Sequence, residues 1–388
     1  MAHDLFVTLD FPPARGGVAR YYDSLLRVLV DRRITVLAPK TSDQSGTQPP
    51  RHITVIRKRL IAPSWLWPRW VLLLIHVLWL LVCNRIDLLH VGQVLPVGTV
   101  ALLARFFFRV PYCVYTHGLD VLNASRDPRK RSLAQRVLLT ADRVVCNSHA
   151  TKRLVTSLGV QETRIIMLHP GCSFVGARAD ENAVSMLRQR FALGESRILF
   201  SAGRLVERKG FRTAIRAFLD VATKYPDLHY VLVGDGPERM SLEALSKQKG
   251  LENRILFRGE VGDDELRNWY ALCTAFLLVP TPLTGSDMEG FGIVYLEAAV
   301  FGKPVIASAT GGVEDAVLHE KTGLVVPPED VEATAGAIRR LLDDPVFAAR
   351  LGAEGQRLVE RDGTWNRRAE EFRRWLSSVQ QKGGGNAV

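Results

Sequence analysis

Two glutamates, Glu289 and Glu297, stand eight residues apart in the stretch DMEGFGIVYLEA, with Gly290, Phe291 and Gly292 between them. A plain buried strand or helix needs neither carboxylate. If a helix opens near Phe291, Glu289 lies in the loop before it and Glu297 inside it, roughly two turns along at ~3.6 residues per turn. Carboxylates held at two depths of one groove accept hydrogen bonds from vicinal hydroxyls. The glycines leave backbone N–H groups free to point at an anion.

Cations follow the same logic. Arg204 and Lys209 in AGRLVERKG are five residues apart and bounded by Gly203 and Gly210, so a planar fork and a point charge can converge on a diphosphate. The alternative is a solvated basic loop, to which Glu207 and Arg208 are assigned. Gly16 and Gly17 in FPPARGGVARYY follow a strand-like opening. They suit close approach of a phosphate, or form a plain turn; the spacing is not that of a dinucleotide fingerprint. Gly234, Asp235 and Gly236 in VGDGPER read as structural turn and cap residues, and a second glycine pair stands at 311–312. Acid for sugar, backbone for phosphate and acid for ribose together describe a nucleotide-sugar. Asp263 and Asp264 read as a helix cap and first turn rather than a metal motif, and no metal is expected.

These residues must be held by strands and helices in alternation. In the first half DLFVTLD, ITVLAP, ITVI, IDLLHV, PYCVYT, RVVCNS and RIIMLH read as strands; after residue 171 come RILFSAG, HYVLVGD, RILFRGE, AFLLVP, PVIASA and GLVVP. The pattern is that of two doubly wound α/β domains with a linker near 170–180 and a cleft for chemistry between them. The expected division is 1–172, 173–364 and an amphipathic closing helix over 365–380, followed by a frayed QKGGGNAV.

Composition bounds the partners. With 47% hydrophobic and 23% charged residues, the 388-residue chain is globular and too long for one ordinary core. Residues 1–170 hold 23 Lys and Arg against 10 Asp and Glu, while residues 171–388 hold 28 against 30. A basic first half can face anionic lipid, nucleic acid or a phosphorylated substrate. No base-reading motif or interleaved aromatics accompany it, so nucleic acid is not expected. The five cysteines show no ligand or CxxC spacing and read as reduced, mostly buried thiols. MAHDLFVTLD reads as a strand, not a leader. WLWPRWVLLLIHVLWLLVC, residues 65–83, approaches membrane-span length but is interrupted by Pro68, Arg69 and His76; it reads as a crossover helix whose apolar outer face lies on a bilayer surface.

Taken in order, Gly16-Gly17, THGLD, Asn147-Ser148, GRLVERKG, GDGP, EGFGIVYLEA and the Gly311-Gly312 pair resemble glycosyltransferase family four, retaining enzymes of GT-B fold, over nearly the whole chain. The wording of DFPPARGG and DMEGFGIVYLEA is nearest to GDP-mannose-dependent mannosyltransferases that extend phosphatidylinositol mannosides. The resemblance implies that Arg204 and Lys209 bind the donor diphosphate and that Gly16-Gly17 close over phosphate and acceptor. It gives Glu289 the sugar hydroxyls, Glu297 the ribose, and His117 a contact to the sugar near the reacting carbon. Backbone near Arg258 to Val261 would read the base. It further implies a retaining hexosyl transfer to a lipid-linked or glycan acceptor, at the cytoplasmic face of a membrane to which the chain is peripherally bound, with no cofactor beyond the nucleotide-sugar. A UDP-sugar transferase acting on a polysaccharide precursor or soluble acceptor is the alternative. One departure stands: HPG is followed by Cys172-Ser173 where the family carries an apolar residue and an aspartate.

Overall fold

The computed structural model describes residues 1–14, 16–41, 48–247, 250–282 and 289–383. Asp287 of the acidic motif and the last five residues of the expected frayed end lie outside them. The chain forms two compact units, one of residues 1–171 with 365–388 and the other of residues 172–364.

Unit 1 is built on seven strands: β1 (His3–Val7), β2 (Arg33–Pro39), β3 (Ile53–Lys58), β4 (Leu88–Val91), β5 (Tyr112–Thr116), β6 (Arg143–Cys146) and β7 (Ile165–Met167). They pair in the order β3-β2-β1-β4-β5-β6-β7, all parallel. Their near-continuous apolar runs are what a sheet covered on both faces requires. One face is covered by α1 (Gly17–Val28) and the C-terminal helix Glu370–Gly383, whose Phe372 and Leu376 are fully buried. The other is covered by α2 (Val71–Cys83), α3 (Val97–Phe108), α4 (Leu119–Ser125) and α5 (Pro128–Thr140). Helix formation after residue 364 is interrupted at Ala369, so the closing segment is two helices, Trp365–Arg368 and Glu370–Gly383, rather than one.

An ion pair sits wholly inside unit 1. Arg32 donates from Nη2 to Asp4 Oδ1 at 2.6 Å and from Nε to Oδ2, while Nη1 reaches the Leu376 carbonyl at 3.5 Å. Burial works against the Asp4 carboxylate, but His90 and Arg32 outweigh it and lower its pKa. The pair therefore ties β1 and the chain before β2 to the C-terminal helix.

Unit 2 has six parallel strands: β8 (Arg197–Ala202), β9 (Leu228–Val233), β10 (Ile255–Gly259), β11 (Ala275–Leu278), β12 (Val305–Ser308) and β13 (Gly323–Val326), in the order β10-β9-β8-β11-β12-β13. In both sheets the strand order reverses once, between β1 and β4 and between β8 and β11. At such a switch point the connecting segments leave in opposite directions and open a crevice at the carboxyl ends of the strands.

Candidate active site

The unit 2 switch point explains why the sequence-distant residues meet. The segment after β8 carries Gly203 to Gly210, and the segment after β11 carries Glu289. Lys209, at the end of the short turn Glu207–Lys209, donates from Nζ to Glu289 Oε2 at 2.5 Å. Arg208 approaches the same oxygen at 3.4 Å and is half-buried. The expected solvated role for Arg208 is thus corrected: the turn aims it, like Lys209, at the carboxylate. Glu207 remains exposed. Burial alone would raise the Glu289 pKa, but Lys209 and then Arg208 outweigh it and hold the carboxyl below the usual range, so it is an anion at neutral pH. Arg204 is exposed, and its side chain makes no hydrogen bond or ion pair among the described residues.

The helix after Glu289 runs Ile293–Val300 and starts two residues later than expected, because Gly292 takes a left-handed conformation at φ 92° and serves as its N-cap. Glu297 therefore lies little more than one turn in, not two. It is 3% exposed, and its Oε2 accepts from the Tyr270 hydroxyl at 2.7 Å. The Phe291 ring belongs to the core, so this residue can offer a ligand only its backbone. The Gly311-Gly312 pair buttresses the site from below: Gly312 N–H donates to the Glu289 carbonyl at 2.9 Å, and a Cβ on Gly311 would fall 2.2 Å from that oxygen.

Gly234 and Gly236 are required by packing, since a Cβ on either would lie within 2.3 Å of a backbone oxygen. Val261 follows β10 and is half-buried against the core. Arg258 beside it is engaged, donating from Nη2 to Glu265 at 2.8 Å and lying over the Phe191 ring at 4.9 Å. Asp263 and Asp264 occupy the first turn of the helix Asp263–Leu272, whose cap is Gly262 rather than an aspartate. No cluster of three or more metal-ligating side chains occurs among the described residues.

In unit 1 the sequence-identified residues again follow strands, β1 at the switch point and β5 one strand beyond it. Gly16 and Gly17 open α1 after β1; no side chain caps this helix, and a Cβ on either glycine would meet no atom within 4 Å. Packing leaves the space over both glycines open. His117 is the first residue after β5. Its backbone N–H donates to Asp120 Oδ1 at 2.9 Å, and its Nε2 lies 2.7 Å from the Tyr22 hydroxyl. Burial lowers the His117 pKa to about 4, so the ring is neutral, and burial raises that of Asp120 to about 6 against opposing backbone N–H groups.

Tyr22, Tyr270 and Asp120 are the site residues that sequence reasoning passed over, and Arg208 is one that it placed in solvent. Asp120 alone carried a local signal, an acid three residues after His117 at a helix start. The two tyrosines reach their partners across 95 and 27 residues of chain, and no spacing rule encodes that.

Two parallel Rossmann-like units, one with a Lys–Glu pair at its switch point and the other with open glycines and a neutral histidine, define a GT-B architecture. Solved structures agree. Sucrose-phosphate synthase from Thermosynechococcus elongatus matches with a TM-score of 0.84 at 23% identity, covering 98% of this chain and 100% of that one. HepE from Anabaena in complex with UDP and glucose matches with a TM-score of 0.82 at 22% identity, covering 97% and 100%. The family models "Glycosyltransferase Family 4" and "Glycosyl transferases group 1" match residues 15–173 and 186–358. Among curated proteins, the GDP-mannose-dependent alpha-(1-6)-phosphatidylinositol monomannoside mannosyltransferase of Mycolicibacterium smegmatis is 31% identical, over 97% of this chain and 99% of its own. A GDP-mannose-dependent monoacylated alpha-(1-6)-phosphatidylinositol monomannoside mannosyltransferase of Corynebacterium glutamicum is 29% identical over 96% and 97%. The chain belongs to glycosyltransferase family four.

Proposed function

We propose that the enzyme transfers a mannosyl group from GDP-mannose to a hydroxyl of a lipid-linked mannoside, with the anomeric configuration retained. The observation carrying this reading is the identity of 31% across essentially both full chains with a relative so named. In this reading Arg204 and Lys209 bind the diphosphate, and backbone N–H groups of Gly290, Phe291 and Gly292 and the α1 start at Gly16-Gly17 approach phosphate. Glu289 holds sugar hydroxyls, Glu297 the ribose, Val261 lies by the base, and His117 contacts the transferred sugar. The C1–O bond to the diphosphate breaks as the acceptor oxygen bonds C1 on the same face, and the departing phosphate oxygen takes the acceptor proton. The protein's part is to stabilise charge growing on the diphosphate, for which one well-placed donor contributes ~3–4 kcal/mol.

The acceptor's lipid has a matching surface. In α2, Leu73, Val77 and Leu80 are buried, while Ile75, Trp79 and Val82, at the same helical spacing on the opposite face, are exposed. Trp65, Trp67, Phe106 and Phe107 are exposed as well, and α2 packs beside α3. Unit 1 carries 28 Lys and Arg against 12 Asp and Glu, whereas unit 2 carries 23 against 28. No described helix is long and apolar enough to cross a membrane. In this reading the exposed apolar face and the basic charge of unit 1 dock it peripherally on an anionic leaflet, where each basic residue adds about 1 kcal/mol.

The test is thermal shift against GDP- and UDP-sugars, with Glu297→Ala and Arg204→Ala alongside, followed by transfer of labelled mannose to mannosylated phosphatidylinositol in vesicles. Stabilisation by GDP-mannose that both substitutions abolish supports the reading. A UDP-sugar response replaces the donor, and binding indifferent to anionic lipid removes the docking surface.

A further inference from the structure

The hydrogen bonds around Tyr22 determine what His117 can offer a ligand. Tyr22 is fully buried at the inner face of α1, and burial, before any neighbouring charge, holds its phenol protonated far above the usual range. Its hydroxyl contacts two groups, the carbonyl of Gly92 just after β4 and Nε2 of His117. A carbonyl can only accept, and a phenol has one proton. That proton goes to Gly92, so the hydroxyl can receive only a proton-bearing Nε2. The imidazole is neutral because burial lowers its pKa to about 4, and a neutral imidazole carries one N–H. Nδ1 is then a bare lone pair, and it has no hydrogen-bond partner among the described residues. The remaining neighbours leave this assignment untouched. Tyr21 meets the ring only edge-on, with centroids 5.1 Å apart, and sends its own hydroxyl to the Leu168 carbonyl at 2.9 Å. Asp120 accepts from the His117 main chain, not from its ring.

We propose that Tyr22 is a positioning residue that locks His117 as the Nε2–H tautomer, so that Nδ1 acts as a hydrogen-bond acceptor for one hydroxyl of the transferred hexose. The inference rests on the glycosyl-transfer reading above for the identity of the ligand, but not for the tautomer. It makes His117 a reader of a hydroxyl rather than a cationic stabiliser. An acceptor built to meet a hydroxyl discriminates against the analogue that lacks it, because the lone pair is then left unpaired in a desolvated site.

The experiment has two arms. In the first, protein labelled with 15N-histidine is examined without ligand by long-range 1H–15N correlation, the His117 signal being assigned by its loss in His117→Gln. The wild type is expected to show Nε2–H. Tyr21→Phe, which also deletes one buried tyrosine hydrogen bond, keeps that pattern, and Tyr22→Phe loses it. A wild-type Nδ1–H signal, or an unchanged tautomer in a folded Tyr22→Phe, overturns the proposal. In the second arm kcat/KM is measured for a series of monodeoxy donor sugars. The wild type is expected to penalise one deoxy position by about tenfold or more, and Tyr22→Phe to shrink that penalty toward unity, while Tyr21→Phe retains it. Equal penalties in all three proteins overturn the hydroxyl-reading role. If no nucleotide-sugar is turned over at all, the functional reading fails, and the first arm still decides whether Tyr22 sets the tautomer.

Discussion

At the scale of single residues, Glu289 remains an anion in a nearly enclosed position because Lys209 and Arg208 face it. A carboxyl whose folded pKa is depressed contributes stability that is present above its unfolded pKa and is lost as pH falls through the folded one. In Lys209→Met burial regains the upper hand. The acid limb of kcat/KM is then expected at higher pH, with the neutral rate down by about 10²-fold; initial rates across pH check this. An equal loss with an unmoved acid limb would mean that Lys209 acts on the donor alone. Tyr270 supports Glu297 through one hydroxyl, and Tyr270→Phe is expected to raise the donor KM by about 5–10-fold, the worth of one buried hydrogen bond, with kcat nearly unchanged. A fall in kcat at constant KM would place Glu297 in the chemical step instead.

At the scale of elements, the loops at the strand ends contain glycines of two kinds. Gly311 has φ 59°, and a Cβ there would collide with the Glu289 carbonyl. Gly311→Ala should therefore lower stability by about 1–3 kcal/mol and reduce activity with it. Gly17, at the first position of α1, has open space around it and no positive φ. Gly17→Ala should leave Tm unchanged or slightly raised while raising the donor or acceptor KM, since only a ligand needs that space. Paired measurement of Tm and kcat/KM for the two variants separates a glycine kept for packing from one kept for substrate.

At the scale of the whole molecule, the last helix is part of the first unit's core. Phe372 is fully buried and meets His90 and Tyr115 edge-on at centroid distances of 6.1 and 6.0 Å. Phe372→Ala is expected to cost about 3–5 kcal/mol and to lower hydrogen-exchange protection in β4 and β5 while leaving β8 and β9 as they were. Uniform loss in both sheets would contradict the assignment of this helix to unit 1. The same placement sharpens the charge asymmetry, because the basic tail adds to an already basic unit.

The strands, the doubly wound pattern and the family were legible in the chain alone, because apolar periodicity and the Glu289/Glu297 and Arg204/Lys209 spacings are local properties. It also marked the glycine pairs. It placed Arg208 in solvent and the helix start at Phe291, since a turn's direction and a left-handed cap at Gly292 depend on what packs around them. Which oxygen Lys209 meets, that Tyr270 underpins Glu297, and that the Tyr22 hydroxyl faces the His117 ring follow from the three-dimensional arrangement alone. Those pairings join residues of different helices and strand-following turns, brought together by the order of strands in each sheet, and strand order is fixed by long-range burial that no short window of sequence contains.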